Sequence, residues 1–168
     1  MRLSATDAHR HSATPRTRYA FLTLPDYSMI ALTNAIEPLR MANRVSGQGA
    51  YEWLVVTPDG EPVTASNGLM MTPTRRLADA PDVDMVFVCG GVNVREAVSP
   101  ALVNVLRRLA ARRMPLGALC TGGYALAQAG LLDGYHATIH WENLSALREQ
   151  FPRVLLSDHL FTLDRNRY

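Results

Sequence analysis

The chain has 168 residues with a formal net charge of +2 and 48% hydrophobic residues, so it has the size and apolar content of one domain with a proper core, and charge alone gives no sign of nucleic-acid binding. All 17 of its basic residues are arginine, which excludes Schiff-base chemistry and a phosphate-gripping P-loop lysine within this stretch. Two cysteines make no disulfide framework, no run reaches the ~18 apolar residues of a membrane span, and residues 1–17 lack the apolar core of a secretory signal; a reducing cytoplasm is the simplest setting.

Met1 to Thr17 is rich in Arg, His, Ser, Ala and Thr with no apolar period, and reads as a disordered tail. His9 and His11 stand in it alone, so it reads as solvated tail and no metal site is expected. Arg18–Leu24 is a first strand, ended by Pro25-Asp26. Ser28 then suits an N-cap, and a helix is expected to about Asn43, with Ile30, Ala31, Ala35, Leu39 and Ala42 near its apolar face. Pro38 should kink or break it. Tyr51–Thr57 is a second strand. Residues 62–65 and 69–72 suggest a hairpin around Ser66-Asn67-Gly68, whose Asn-Gly suits a primed turn.

Met85–Cys89 is short and wholly apolar, as in the centre of a parallel sheet, and Gly90-Gly91 follows it. Ser99 caps a helix with Leu102, Val105, Leu106 and Leu109 on one side. Its other face carries Arg107, Arg108, Arg112 and Arg113, which could grip phosphate but reads better as a solvated face. Pro115 to Gly123 then has the grammar of strand, tight turn and helix, with Cys120 at the apex. Glycines around the apex let the chain pass itself without Cβ atoms. A thiol held there is pushed out above the sheet at a helix N-terminus, where the dipole favours thiolate. The bland alternative is a buried structural cysteine in an ordinary turn. Beyond it, Ala137–Ile139 is extended, a helix runs from about Glu142 to Phe151, and Val154–Leu156 and Leu160–Leu163 read as two further strands before a turn at Asp164-Arg165-Asn166.

Strands alternate with helices, so the expected fold is α/β: a three-layer sandwich with a mostly parallel, flavodoxin-like sheet. Ligands in such sheets sit beyond the C-terminal ends of the strands, where the loop after the first strand, Gly90-Gly91 and Cys120 all fall.

Cys120 on its elbow, Gly90-Gly91 after an apolar strand and His140-Trp141 after the next turn resemble the PfpI branch of the class I glutamine amidotransferase-like superfamily. More narrowly, the stretches 37–43 (EPLRMAN), 88–92 (VCGGV), 119–122 (LCTG), 130–135 (GLLDGY) and 139–142 (IHWE) resemble the amidotransferase-like sensor domain of AraC-type transcriptional regulators, closest to those of arginine, carnitine or glycine betaine catabolism. The resemblance implies a sensor over residues 18–168, incomplete at its C-terminal end. It also implies a homodimer, and DNA binding by a helix-turn-helix domain beyond Tyr168. It implies no cofactor and no membrane partner.

The residues themselves leave catalysis open. Cys120 is the candidate nucleophile, His140 its candidate partner, and the N–H groups of Thr121 and of Gly91 or Val92 its candidate oxyanion donors. The same donors suit a ligand carboxylate. The catalytic acid of enzymatic relatives corresponds by the resemblance to Ala31; Asp26 comes too early and Glu37 too late. The expectation is therefore a non-catalytic pocket for a small cationic or zwitterionic effector such as an amino acid or quaternary amine. Cys120, Thr121, Gly90, Gly91, Val92, His140, Trp141, Glu142 and Asp26 would line it, with Trp141 and Tyr135 offering ring faces beside the carboxylates. The alternative is a PfpI-type cysteine hydrolase or hydratase; a third reading makes Cys120 an oxidisable redox thiol.

Overall fold

The computed structural model describes residues 16–80 and 82–168. A five-stranded, wholly parallel sheet runs through the centre in the order β5-β2-β1-β6-β7. Its strands are β1 (Thr17–Thr23), β2 (Tyr51–Thr57), β5 (Arg75–Arg76), β6 (Met85–Cys89) and β7 (Leu116–Leu119). The order reverses between β1 and β6, which opens a crevice at their C-terminal ends. Helix α1 (Met29–Ser46) covers one face. Against it lie Phe21, Tyr27 and Cys89, fully or nearly fully buried, with Tyr19, Trp53 and Phe87 packed alongside. Phe21 and Phe87 stack across the sheet at 5.7 Å. On the other face Ala20, Leu22, Val86 and Val88 meet α3 (Pro100–Ala111) through Leu102 and Leu106, and α4 (Gly123–Gln128) through Leu126. The short α2 (Val94–Ala97) and α5 (Leu144–Gln150) complete this layer. Each fully buried Leu contributes about 1.5–3 kcal/mol of transfer free energy. Two layers of helices on a parallel sheet make the expected three-layer α/β sandwich. No helix among the described residues is long and apolar enough to cross a membrane.

Several local expectations change. Residues 1–15 of the expected tail lie outside the described residues. Arg16 and Thr17 are ordered: Arg16 pairs with Glu52, and the Thr17 N–H donates to the Ala50 carbonyl, so β1 starts one residue earlier. Pro38 does not break α1, which runs 18 residues to Gly47 in the left-handed region (φ 67°). Proline forfeits one helical hydrogen bond there, but the flanking turns are held by the sheet-facing stripe Leu32, Ala35, Ile36 and Leu39. Ile30 and Ala42, expected in that stripe, are exposed, Ile30 to 70%. The hairpin forms from β3 (Val63–Thr64) and β4 (Met70–Met71). Its turn is not primed, because Gly68 (φ 84°) has positive φ and Asn67 does not. The Gly68 N–H donates to Ala65, the pattern of a type I turn closed by a left-handed glycine. Leu160–Leu163 forms no strand. A small parallel pair instead joins β8 (His136–Ala137) to β9 (Leu155–Leu156), and residues 166–168 run along the outer edge of β7.

Candidate functional site

Three loops leave the C-terminal ends of β1, β6 and β7 and interlock. Gly90-Gly91 threads between the loop after β1 and the elbow after β7. A Cβ on Gly91 would lie 2.0 Å from the Asp26 carbonyl oxygen, and one on Gly90 would lie 2.6 Å from the Thr121 hydroxyl. Gly122 is confined likewise, 2.0 Å from the Val88 carbonyl oxygen. The loops are stitched by Ser28 N–H to Gly90 carbonyl (2.9 Å), Val92 N–H to Asp26 carbonyl (3.1 Å) and Thr121 hydroxyl to Gly91 carbonyl (2.7 Å).

Cys120 stands at the apex with φ 57°, the left-handed conformation that a side chain adopts only where its surroundings enforce it. Asp26 (φ 58°) and Asn93 (φ 56°) share that strain in the adjoining loops. The thiol is half-buried, and burial is the main influence on it, pushing its pKa up. The Thr121 backbone N–H and the Ser28 hydroxyl hydrogen-bond to it and pull the other way, while the Glu142 carboxylate adds to the rise. The expected gain in thiolate from the helix dipole is therefore outweighed. The 3-10 turn Cys120–Gly122 comes first and α4 has only six residues, which leaves little aligned dipole.

His140 arrives beside the elbow: its N–H donates to the Cys120 carbonyl at 3.4 Å. Its Nδ1 is buried without a hydrogen-bond partner, 3.7 Å from a Glu142 carboxylate oxygen. The Trp141 ring lies 5.7 Å from the imidazole and is 76% exposed. His140, Trp141 and Glu142 thus lie together beside the elbow.

Other expected contributors differ. The Val92 N–H is engaged by Asp26, which removes it as an oxyanion donor. Gly91 remains: in its antiparallel bridge with Tyr27 both its N–H and its carbonyl face away from Tyr27, and the carbonyl meets Thr121 at the elbow. The Asp26 carboxylate accepts from the Asn93 side chain at 3.3 Å. Tyr135 does not join His140, Trp141 and Glu142; the Arg165 guanidinium covers its ring at 3.5 Å and Arg167 lies 5.0 Å away. Glu37 is on the outer side of α1, where Arg40 binds its carboxylate at 2.7 and 2.8 Å. Sequence reasoning found Ser28 only as a cap. Its place beside the thiol depends on strand register across 92 positions, which leaves no local signal. Among the described residues no group of three or more His, Cys, Asp or Glu could hold a metal.

Comparison with known proteins matches residues 20–159 to the DJ-1/PfpI family. The HTH-type transcriptional regulator GbdR of Pseudomonas aeruginosa is 49% identical over 148 residues, 88% of this chain and 40% of the regulator. An isonitrile hydratase of Pseudomonas putida is 33% identical over 122 residues, 72% of this chain and 51% of that protein. The crystal structure of an AraC family transcriptional regulator from Pseudomonas putida superposes with a TM-score of 0.81 at 33% identity, covering 90% of this chain and 81% of that one. The chain therefore spans less than half the length of the regulator GbdR that it matches.

Proposed function

This chain belongs to the DJ-1/PfpI family, and on that premise we propose that it is the effector-sensing domain of a DNA-binding transcriptional regulator, binding a small cationic or zwitterionic metabolite at the Cys120 elbow without turning it over. The observation that carries this reading is what surrounds the thiol. Residue 31 is alanine, the Glu37 carboxylate is bound by Arg40 on the outer side of α1, and the side chain that lowers the thiol's pKa is the Ser28 hydroxyl, which has no useful acid–base range. A half-buried thiol with a raised pKa is a poor nucleophile at neutral pH. The likeness to GbdR, an HTH-type transcriptional regulator, supports the regulatory role, with DNA contacted through another domain; a homodimer in the cytoplasm is part of the same proposal.

In this proposal the Gly91 N–H takes the ligand's carboxylate, joined by the Thr121 N–H where the carboxylate displaces the Cys120 sulfur from it, and the exposed Trp141 face with Glu142 takes its cationic end. Titration calorimetry with glycine betaine, L-carnitine and L-arginine tests it. One of the three should bind. Trp141→Ala should weaken that binding about two- to thirtyfold, the range of a cation–π contact of ~0.5–2 kcal/mol. Cys120→Ser should alter it by less than about threefold. Absence of binding to all three, or binding indifferent to Trp141, would refute the ligand class.

Two observations favour a second reading, a cysteine hydratase with Cys120 attacking and His140 handling the proton: the His140 backbone is bonded to Cys120, and an isonitrile hydratase shares 33% identity. Turnover of an isonitrile to the N-substituted formamide, abolished in Cys120→Ser, would establish it over the first.

A further inference from the structure

Asn67 is the only asparagine of the chain that is followed by glycine. The pair lies in the turn between β3 and β4, where Asn67, Gly68, Leu69 and Met70 are all exposed. The Leu69 N–H donates to the Asn67 side-chain carbonyl at 3.1 Å. That is the Asx-turn arrangement, which brings the carboxamide back along its own main chain, and the donor polarises its carbonyl carbon. The Gly68 nitrogen is the atom that closes a five-membered ring on that carbon. A Cβ on Gly68 would meet nothing within 4 Å, and glycine has none, so the approach is unhindered. What restrains the nitrogen is one hydrogen bond, from its N–H to the Ala65 carbonyl at 2.9 Å. The ladder behind it has two residue pairs, Val63 with Met71 and Thr64 with Met70, and a hairpin so short is marginal by itself. The base of the hairpin is fastened to the loop after β1. The Asp26 N–H donates to the Thr64 carbonyl at 2.9 Å, the Ser66 N–H donates to the Tyr27 carbonyl at 3.0 Å, and buried Ala65 bridges to Tyr27. The same loop holds the Val92 N–H through the Asp26 carbonyl.

We propose that Asn67 is a self-modifying site that passes through a succinimide with Gly68 to isoaspartate, and that the isoaspartyl form loosens the hairpin's hold on the loop after β1. In the first step the Gly68 nitrogen bonds to the Asn67 side-chain carbonyl carbon, and the bond from that carbon to Nδ2 breaks. The amino group leaves as ammonia, carrying the proton that the Gly68 nitrogen gave up. In the second step a solvent water adds to the ring. Opening at the side-chain carbonyl yields aspartate; opening at the main-chain carbonyl yields isoaspartate, the major product of an unhindered ring. Isoaspartate puts one more carbon into the main chain. Gly68 then no longer lines up with Ala65, and the register that seats Ala65 and Ser66 against Tyr27 is lost. The reaction needs only solvent and is independent of what the crevice binds.

The test ages the whole chain in mildly alkaline buffer at 37 °C and maps its peptides by mass. Isoaspartate is identified by the methyl group it takes from S-adenosylmethionine under an isoaspartyl methyltransferase. Asn67 should convert at least about tenfold faster than Asn34, Asn43, Asn93, Asn104, Asn143 or Asn166, none of which precedes glycine. Hydrogen exchange of the Asp26 and Ser66 amides, followed by NMR, should be about fivefold faster or more in the isoaspartyl fraction than in fresh protein. Asn67→Asp keeps the acceptor for Leu69 and adds the charge without the extra carbon, so it should leave both amides as they are in fresh protein. Asn67→Ser, which has no carbonyl carbon to attack, should show no conversion at residue 67, and serves as the unmodified control should the aspartate variant fail to fold. An Asn67 that survives ageing, or converts no faster than the other six, would overturn the site. Equal exchange of the two amides in the isoaspartyl fraction and in fresh protein would overturn the loosening, as would the same acceleration in Asn67→Asp. None of these outcomes bears on the calorimetric test of sensing.

Discussion

Cys120 was legible at the level of the residue because a Gly-x-x-Cys-x-Gly-Gly run between an apolar strand and a helix admits few backbone geometries, and its φ of 57° is the strained apex that this pattern implies. Its chemistry was less legible. Burial is a property of the assembled loops, and it raises this thiol where the local helix had suggested the opposite. Cys89 is the stronger case: wholly buried at the end of β6, its thiol is pushed far above its usual range by desolvation first and by proximity to Cys120 second. The folded chain therefore keeps a proton that the unfolded chain releases above about pH 8.5, so the stability this thiol contributes is full below that pH and falls as pH rises. Urea unfolding between pH 8.5 and 10 should lose about 2 kcal/mol on this account, at ~1.4 kcal/mol per pH unit. Cys89→Ala should flatten the slope over that window. A slope unchanged in the variant would mean that the alkaline sensitivity arises elsewhere.

Among the elements, β1, β2, β6 and β7 could be read from their apolar runs, most plainly β6, a central parallel strand with no polar alternation along it. Elements of two to four residues, β5 and α2, carry no periodicity and went unseen. Leu160–Leu163 misled in the other direction: its apolar residues suggested a strand, yet Leu160 is 95% exposed. The apolar face of α1 differs from the expected one: Ile30 and Ala42 are exposed, and the sheet-facing row is buried Leu32 with partly buried Ala35, Ile36 and Leu39, three, four and seven residues further on. Pro38 sits on the solvent side of that helix without interrupting it. Its replacement should therefore help: Pro38→Ala restores a main-chain donor within an exposed helical turn and should stabilise the chain by about 2 kcal/mol, read from chemical denaturation. A loss of stability instead would mean that the ring is needed for packing or for restricting the unfolded chain.

For the molecule as a whole, the crevice floor is made of backbone. Loops from three different strands meet at glycines that leave no room for a methyl group, so the floor and the sheet should unfold together. Gly91→Ala, with its Cβ driven to 2.0 Å from a carbonyl oxygen, should lower the unfolding free energy by at least about 3 kcal/mol. Gly47→Ala, at positive φ but with nothing within 4 Å, should lose only the ~1–2 kcal/mol of a left-handed alanine. Equal losses in the two variants would show that the interlock carries no special strain. Fold and elbow were visible in the sequence. The pairing of Ser28 with the thiol, and the engagement of the Val92 N–H, were not, because both are set by how distant loops dock.

That docking also confines where this scaffold can diverge. A pocket base knitted from peptide groups offers evolution almost nothing to vary, since nearly any side chain added there collides with main chain. The exposed edge at Trp141 and Glu142 is under no such restraint. Descendants of one ancestor that came to answer different small molecules would then differ chiefly along that lip, and a graft of residues 140–142 from one onto another should carry chemical preference with it while leaving the foundation untouched.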